Sequence, residues 1–144
     1  MTLETNQVIE NLLRTGELFR QEFPLDKVIR EMDAAKEDLQ DAEDIFSSSR
    51  YKWATIIGYS SIFHSARTLL YVRGYKEHDQ DSLIIALEQF YPEELGKTLS
   101  TAYGKALQLK RKAEEHEYSM NGAIETIQAA KAWLLVARNI LKAK

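Results

Sequence analysis

Apolar residues recur at intervals of three and four along much of the chain, which is the period of a helix with one buried face. The clearest example is residues 25–46, where the pattern ends at the Ser-Ser-Ser-Arg segment 47–50. Its apolar positions are Val28, Ile29, Met32, Ala35, Leu39, Ala42, Ile45 and Phe46. An amphipathic helix is therefore predicted over residues 25–46. The acidic residues of this segment are interpreted as its solvent-facing side; they are Asp38, Asp41, Glu43 and Asp44.

Residues 51–72 differ from this pattern because they are apolar on most sides of the predicted helix. A helix of this kind packs against neighbours on several faces, so this segment is predicted to be the central one. Gly74 ends it, since glycine is favoured just past the last turn of a helix. Trp53 in this segment and Trp133 nearer the C-terminus are expected in the core or at an interface.

Further helices are predicted over residues 3–19, 81–90, 92–117 and 123–141. The helix at 81–90 begins at a cap formed by Asp81 or Ser82, and Pro92 suits the first turn of the helix that follows. No segment shows the alternating β-branched pattern of a strand. The predicted fold is therefore all-α, an antiparallel up-and-down bundle of four to five helices. Residues 1–144 are expected to form one domain, in which residues 1–22 add an N-terminal helix.

Composition narrows the class of protein further. The chain has 144 residues and no cysteine, so it can bury a core but cannot form disulfides or cysteine-ligated metal sites. No apolar run approaches the roughly 20 residues that span a bilayer, and the first ten residues lack the segments of a signal peptide. A cytoplasmic protein without membrane contacts is expected. The net charge of −3 argues against general nucleic-acid binding, so any RNA contact is expected to be local.

Two consecutive predicted helices carry a recognisable group of residues. The first contains Asp-Leu-x-x-Ala, and the second contains a tyrosine, then Phe-His-x-Ala-Arg, with a glycine and a histidine in the loop beyond. These residues are Asp38, Leu39, Ala42, Tyr59, Phe63, His64, Ala66, Arg67, Gly74 and His78. In order and spacing they resemble the HEPN family of small helical bundles. The resemblance covers residues 25–141 and leaves the N-terminal segment outside.

A second motif lies about one helix before the C-terminus, in the segment Lys-Arg-Lys-Ala-Glu-Glu-His-Glu-Tyr. Arg111, His116 and Tyr118 fit the pattern Arg-x4-His-x-Tyr, which resembles HEPN toxins paired with a small nucleotidyltransferase. This resemblance implies a ribonuclease in which Arg111 and His116 are catalytic and two protomers bring their motifs together. It also implies that Tyr118 receives nucleotide groups from the partner enzyme, which would add negative charge beside the catalytic pair.

The chemistry of these residues suits RNA cleavage without a metal ion. Histidine exchanges protons near neutral pH, so it can act on a 2′-hydroxyl or on a leaving oxygen. A guanidinium can hold two oxygens of the phosphorane that develops in the reaction. On one continuous helix, however, Arg111 and His116 would point about 140° apart. A break in the helix between them, or a site completed by a second subunit, would bring them to one phosphate.

A structural interpretation of the same segment remains open. Residues 110–117 form a dense run of charges, and such runs are usually the solvated face of a helix, with pairs at helical spacing. The spacing Arg-x4-His also occurs at Arg73 and His78, without a tyrosine two residues later. Spacing alone therefore carries little information. Tyr118 and the position before the last helix favour the 111–118 copy.

Three further polar residues are candidates for a pocket. His64 and Arg67 lie three residues apart on one helical face, where they would line a polar pocket between protomers or form a hydrogen-bonded pair at the edge of the core. His78 follows a glycine-containing loop and is a candidate for the same pocket. Three scattered histidines do not form a zinc signature. No metal or cofactor is predicted. No phosphate-cradling glycine loop is present, so the chain is not expected to be a nucleotidyltransferase itself.

Two hypotheses of function follow. The first is a dimeric ribonuclease or toxin of HEPN type, regulated by a nucleotidyltransferase partner. The second is a non-catalytic helical module that binds a nucleotide, RNA or a partner protein as an adaptor.

Overall fold

A computed structural model describes residues 3–143. Within them, six helices and two short strands follow in the order α1 (Leu3–Arg14), β1 (Leu18–Arg20), α2 (Leu25–Ser47), α3 (Tyr51–Tyr71), β2 (Tyr75–Glu77), α4 (Gln80–Phe90), α5 (Pro92–Glu114) and α6 (Met120–Lys142). The all-α helical bundle that the sequence predicts is confirmed, and α1 is the added N-terminal helix. Residues 1, 2 and 144 of the predicted domain lie outside the described residues.

The N-terminal segment departs from the prediction. The helix predicted to reach residue 19 ends at Arg14, and residues 18–20 form the strand β1 instead. β1 pairs antiparallel with β2, with Leu18 opposite Glu77. Leu18 is 1% exposed, so burial of this one side chain anchors the strand pair against the bundle. Strands of three residues are too short to show an alternating pattern in the sequence.

The central position predicted for α3 is confirmed. This helix packs against α2, α4, α5 and α6, and its buried residues point in several directions around its axis. Gly58 allows α6 to approach closely, because a Cβ at this position would lie 3.0 Å from Cγ2 of Thr126. A larger side chain at this position would therefore force the two helices apart.

Aromatic residues fill the core beside α3. Trp133 is fully buried, and its indole N–H donates to the carbonyl of Leu99 at 3.2 Å. Its ring centroid lies 5.7 Å from that of Tyr103, whose hydroxyl accepts from Tyr59 at 3.2 Å. The core placement expected for Trp133 is confirmed. Trp53 is different, since it is 44% exposed on the first turn of α3.

The start of α4 is set by Asp79. Its carboxylate accepts from the backbone N–H of Ser82 at 2.8 Å, while the Ser82 hydroxyl accepts from the backbone N–H of Asp79 at 3.1 Å. This reciprocal pair is a capping box. The bond from Ser82 holds the pKa of Asp79 below its usual value. The cap predicted at Asp81 or Ser82 is therefore wrong by two or three residues, because Asp79 supplies it.

Candidate functional site

The helix that carries Arg111 ends before it reaches His116. The backbone N–H of His116 donates to the carbonyl of Ala113 at 2.9 Å, and that of Glu117 donates to Lys112 at 2.8 Å. These two bonds form a Schellman motif, in which the residue at the position of His116 adopts a left-handed conformation. His116 has φ of 65°, at a cost of about 1–2 kcal/mol for a residue with a side chain. The helix predicted to reach residue 117 thus ends at Glu114.

His116 faces the first turn of α3. It is exposed, and its Nδ1 lies 3.4 Å from Nζ of Lys52. A lysine ammonium can only donate, so the two groups form a hydrogen bond when Nδ1 of a neutral imidazole is the acceptor. The same ammonium lies 4.8 Å from the ring centroid of Trp53. An exposed histidine, a lysine and an exposed indole therefore form one surface group.

Arg111 faces a different part of α3. It lines an open cleft, here called the α4 cleft, whose residues are Phe63, Glu77, His78, Asp79, Gln80, Asp81 and Arg111. Its charge reaches the buried hydroxyl of Tyr59. Burial raises the pKa of Tyr59 to about 12, while the bond with Tyr103 and the guanidinium of Arg111 act in the opposite direction. The exposed Arg111 thus shares an open cleft with the buried Glu77.

Arg111 and His116 have different neighbours within one chain. His116 contacts Lys52, whereas Arg111 acts on Tyr59 and shares the α4 cleft with Phe63. Tyr59 and Phe63 lie seven and eleven residues after Lys52 on α3, which corresponds to roughly 10–17 Å along the helix axis. Among residues 3–143, Arg111 and His116 share no hydrogen bond. The break between them is present, but it aims them at different places on α3.

Tyr118 lies in the segment between α5 and α6 and is 54% exposed. The next residue, Ser119, caps α6 by accepting from the backbone N–H of Gly122 at 2.9 Å. The cap fixes the backbone directly after Tyr118, and its phenol remains on the surface. Tyr118 is therefore accessible to a modifying enzyme.

His64 and Arg67 lie in a half-buried polar cluster at the edge of the core. Nδ1 of His64 lies 2.5 Å from Oε1 of Glu31, and the guanidinium of Arg67 lies 3.3 Å from the same oxygen. Arg67 also donates to the hydroxyl of Tyr71, and its Nε forms an ion pair with Oε2 of Glu77 at 3.1 Å. We call Glu31, His64, Arg67, Tyr71 and Glu77 the buried cluster. Within one chain, His64 and Arg67 therefore form a polar network at the edge of the core, in which both contact the same oxygen of Glu31.

Asp38 extends this network from α2. Its carboxylate accepts from Ser60 at 2.6 Å and lies 3.8 Å from Nε2 of His64. Asp38 is therefore not on the solvent-facing side that the sequence pattern indicates. Both partners lie on α3, so Asp38 links α2 to α3 through one hydrogen bond and one contact with an imidazole.

His78 is exposed beside the α4 cleft. Its backbone N–H donates to the carbonyl of Glu17 at 3.1 Å, so the N-terminal segment holds its position. His78 lines the cleft itself, whereas Arg67 is linked to it through Glu77, which contacts Arg67 and also lines the cleft. The predicted pocket residues thus separate into the buried cluster, with His64 and Arg67, and the mouth of the cleft, with His78.

Sequence reasoning missed three residues of these sites. Lys52 lies 64 positions from His116, and Glu77 lies ten from Arg67, so no local spacing links them. Glu31 is different, since it lies seven residues before Asp38 on α2, and that separation places both on one helical face. Two carboxylates on one face of α2 were therefore the feature of the sequence from which their contact with His64 could have been predicted.

Two further observations concern metal ligands and membrane spans in the described part of the chain. Within residues 3–143, no group of three or more histidine, aspartate or glutamate side chains is arranged to hold a metal ion. Over the same residues, no helix has the length and apolar character that a membrane crossing needs.

The described chain is a small α-helical domain in which α5 ends before His116 and the buried cluster joins α2, α3 and β2. The family model of the HEPN domain matches residues 30–144. The chain therefore belongs to the HEPN family, as the resemblance in its sequence predicts. Comparison with curated proteins gave no match.

Proposed function

We propose that this protein is a HEPN-type ribonuclease that cleaves RNA without a metal ion, in a site that two copies of the chain complete. Arg111 of one copy and His116 of the other act on one phosphate. The observation that carries the proposal is the end of α5 between these residues. It leaves His116 exposed in a left-handed conformation beside a lysine. Strained backbone of this kind clusters at functional sites.

We infer a second copy from the different neighbours that Arg111 and His116 have within one chain. His116 contacts Lys52 at the start of α3, whereas Arg111 lines the α4 cleft together with Phe63, which lies eleven residues further along that helix. A two-fold axis near this face would place Arg111 of one chain opposite His116 of the other, and each pair would form one site. The resemblance to HEPN toxins supports this arrangement.

The reaction is a transfer of the phosphate from one oxygen to another within the RNA. The 2′-oxygen bonds to the neighbouring phosphorus while the bond from phosphorus to the 5′-oxygen breaks, which leaves a 2′,3′-cyclic phosphate and a free 5′-hydroxyl. An imidazole of His116 takes the 2′ proton and returns a proton to the 5′-oxygen. Arg111 stabilises the negative charge that develops on the phosphate oxygens.

Lys52 has a role in this scheme that follows from its contact with His116. In the free protein its ammonium covers Nδ1, which is the basic nitrogen of the neutral ring. A substrate phosphate attracts the ammonium more strongly than a neutral imidazole does. When Lys52 turns to the phosphate, Nδ1 becomes free to accept the 2′ proton. Trp53 and Tyr118 offer exposed rings on which unpaired bases can stack.

Cleavage of single-stranded RNA near neutral pH tests this function. We expect the unmodified protein to release fragments that end in a cyclic phosphate. His116→Ala and Arg111→Ala should each lose at least about 100-fold of the rate. Lys112→Ala is a matched control, since Lys112 is equally exposed and lies outside the α4 cleft. Cleavage that survives His116→Ala would remove this residue from the mechanism.

One observation favours the second candidate function, an adaptor that binds RNA, a nucleotide or a partner protein without cutting. Arg111 borders the α4 cleft and has no contact with His116, which is an arrangement for binding rather than for acid–base chemistry. In the same assay, an adaptor would bind RNA and leave it intact. If the protein is a dimer and binds RNA without cleaving it, the result would favour the adaptor function over the ribonuclease.

The partner that we propose is a small nucleotidyltransferase, and Tyr118 is the residue that it modifies. Exposure of this phenol supports the assignment. Nucleotide transfer to Tyr118 would place phosphate charge two residues from His116 and repel RNA. Mass spectrometry of protein produced together with such an enzyme should find the added nucleotide on Tyr118. The added mass should be absent from Tyr118→Phe, whereas its appearance on another tyrosine would contradict the assignment.

A further inference from the structure

We infer that a groove between α2 and α6 is a docking surface for an acidic amphipathic helix of a partner protein. The groove has a volume of about 680 Å³ and is formed by the first turns of α2 and the last turns of α6. We call it the α2–α6 groove. It lies about 30 Å along α6 from the start of that helix, whereas the Arg-x4-His-x-Tyr motif directly precedes that start. The inference therefore goes beyond the proposed cleavage and does not depend on it.

Apolar side chains line the groove at helical spacing. Leu25, Ile29 and Met32 lie at positions i, i+4 and i+7 of α2, so they share one face of that helix over roughly 10 Å. Leu141 of α6 lines the same groove. Leu25 is 62% exposed and Ile29 is 39% exposed, whereas Met32 is buried. This length corresponds to two turns of a helix that binds with its apolar face in the groove.

The charged part of the lining is entirely basic. It consists of Lys36, Arg138 and Lys142, and no acidic residue lines the groove. Lys36 lies 3.7 Å from Asp33, whereas Arg138 and Lys142 form no ion pair among residues 3–143. The whole chain has a net charge of −3, so the groove differs in sign from the protein that carries it. Complementary charge therefore selects a partner with acidic residues beside its apolar face.

The shape of the groove favours a helix over a membrane surface. Amphipathic segments that insert into a membrane present Trp, Phe and Leu outwards. Here the apolar residues line a concave surface, Met32 is buried, and the lining has no aromatic residue. A groove between two helices accepts the side chains of a third helix.

Charge also argues against a second copy of this chain as the occupant. In a two-fold interface the same surface of both copies meets itself. Arg138 and Lys142 of one copy would then lie close to the same cations of the other. Like charges brought together in this way oppose association.

Fluorescence anisotropy with two labelled synthetic peptides tests this inference on the full chain. Both peptides carry leucine at positions i, i+4 and i+7, and they differ only in the flanking residues, which are glutamates in one and lysines in the other. We expect the glutamate peptide to bind at least about tenfold more tightly than the lysine peptide. Reversal of the charge in the double variant Arg138→Glu, Lys142→Glu should reverse this preference.

The apolar contact is tested by Ile29→Asp, which should weaken binding of the glutamate peptide at least about tenfold. Ile85→Asp is a matched control, since Ile85 is also 39% exposed but lies on α4, outside the groove. It should bind as the unmodified chain does. If Ile29→Asp loses its helical circular dichroism, Leu25→Asp replaces it, because Leu25 is more exposed.

The outcome is independent of cleavage. We expect His116→Ala to bind the glutamate peptide as the unmodified chain does, even though it should not cut RNA. Equal affinity for the two peptides, or full binding by Ile29→Asp, would overturn the inference. Vesicles that contain phosphatidylserine and bind the unmodified chain but not Ile29→Asp would assign the groove to a membrane instead. Conversion of a dimer to a monomer by Ile29→Asp would assign the groove to a second copy, and either result would contradict a partner helix.

Discussion

Two regions of this molecule each combine a histidine with an arginine, and they differ in what surrounds them. In the buried cluster, His64 and Arg67 are held by carboxylates of Glu31 and Glu77. The second region is the Arg-x4-His-x-Tyr motif of residues 111–118, called here the late motif. In it, Arg111 and His116 are exposed, and neither forms an ion pair with a carboxylate among residues 3–143. A cation that carboxylates already neutralise is poorly suited to bind phosphate. The comparison indicates that the first region stabilises the fold and that the second is available to a ligand.

The largest difference that we expect between the two regions is in how much their arginines contribute to the free energy of unfolding. Arg67→Ala removes one of the two partners of Glu31 and the one ion-pair partner of Glu77 among residues 3–143, so the buried Glu77 carboxylate is left without a cation. We expect a loss of about 3–5 kcal/mol in the free energy of unfolding, against less than about 0.5 kcal/mol for the exposed Arg111→Ala. Urea denaturation measures both. Equal losses would mean that the two arginines are not divided into structural and functional roles.

The next effect concerns pH. Burial raises the pKa of Tyr71 to about 12, while the guanidinium of Arg67 opposes this shift. Because the folded pKa is raised, the stabilisation is complete below pH 10, the usual pKa of tyrosine, and is lost as pH rises through about 12. With solvent screening, the loss is up to about 2 kcal/mol for this phenol. Urea denaturation between pH 9 and 12 should show a smaller loss in Tyr71→Phe than in the unmodified chain. Parallel curves would contradict the burial of this hydroxyl.

Lys52 distinguishes a functional role of the late motif from a structural one. If its ammonium turns from His116 to the phosphate of the substrate, Lys52→Ala should slow cleavage about tenfold, the usual worth of one charged contact. Lys52→Arg keeps the charge and should recover most of the rate. Thermal unfolding should be nearly unchanged in both variants, since the side chain lies at the surface. A rate that is unchanged in Lys52→Ala would remove Lys52 from the site.

The smallest effect is a gain in stability. His116 has a positive φ, which glycine adopts without strain. We expect His116→Gly to stabilise the chain by about 1 kcal/mol and to abolish cleavage. Ser49→Gly is a matched control because Ser49, at φ of 61°, ends α2 in the same conformation. It should be stabilised by a similar amount and keep its activity. Destabilisation by His116→Gly would show that the imidazole has a structural role.

The two regions also differ in how far sequence reasoning reaches. Long helices with a period of 3.6 residues are predictable, because burial of one face repeats along each of them. α2, α3 and α6 therefore begin and end within a few residues of the predicted bounds. β1 and β2 are not predictable in this way, since three residues give no repeat and each strand has one buried residue, Leu18 in β1 and Glu77 in β2.

The sites are less predictable than the fold. The motif identifies Arg111 and His116, but not the Schellman motif that ends α5, because glycine and not histidine usually marks that position. The contact between Lys52 and His116 and the pairing of Arg67 with Glu77 depend on tertiary packing. The prediction for Asp38 was wrong for a different reason. Polar residues on an amphipathic helix are usually solvated, and this one pairs with Ser60 and His64 on the next helix.

The central claim is that Arg111 of one copy and His116 of another serve the same phosphate. Mixing purified Arg111→Ala and His116→Ala proteins, with time for the subunits to exchange, tests it most directly. Mixed dimers would have one site in which both residues are intact, so the mixture should recover about a quarter of the unmodified rate. Cleavage by the unmodified protein, together with a mixture no more active than either variant alone, would contradict a shared site.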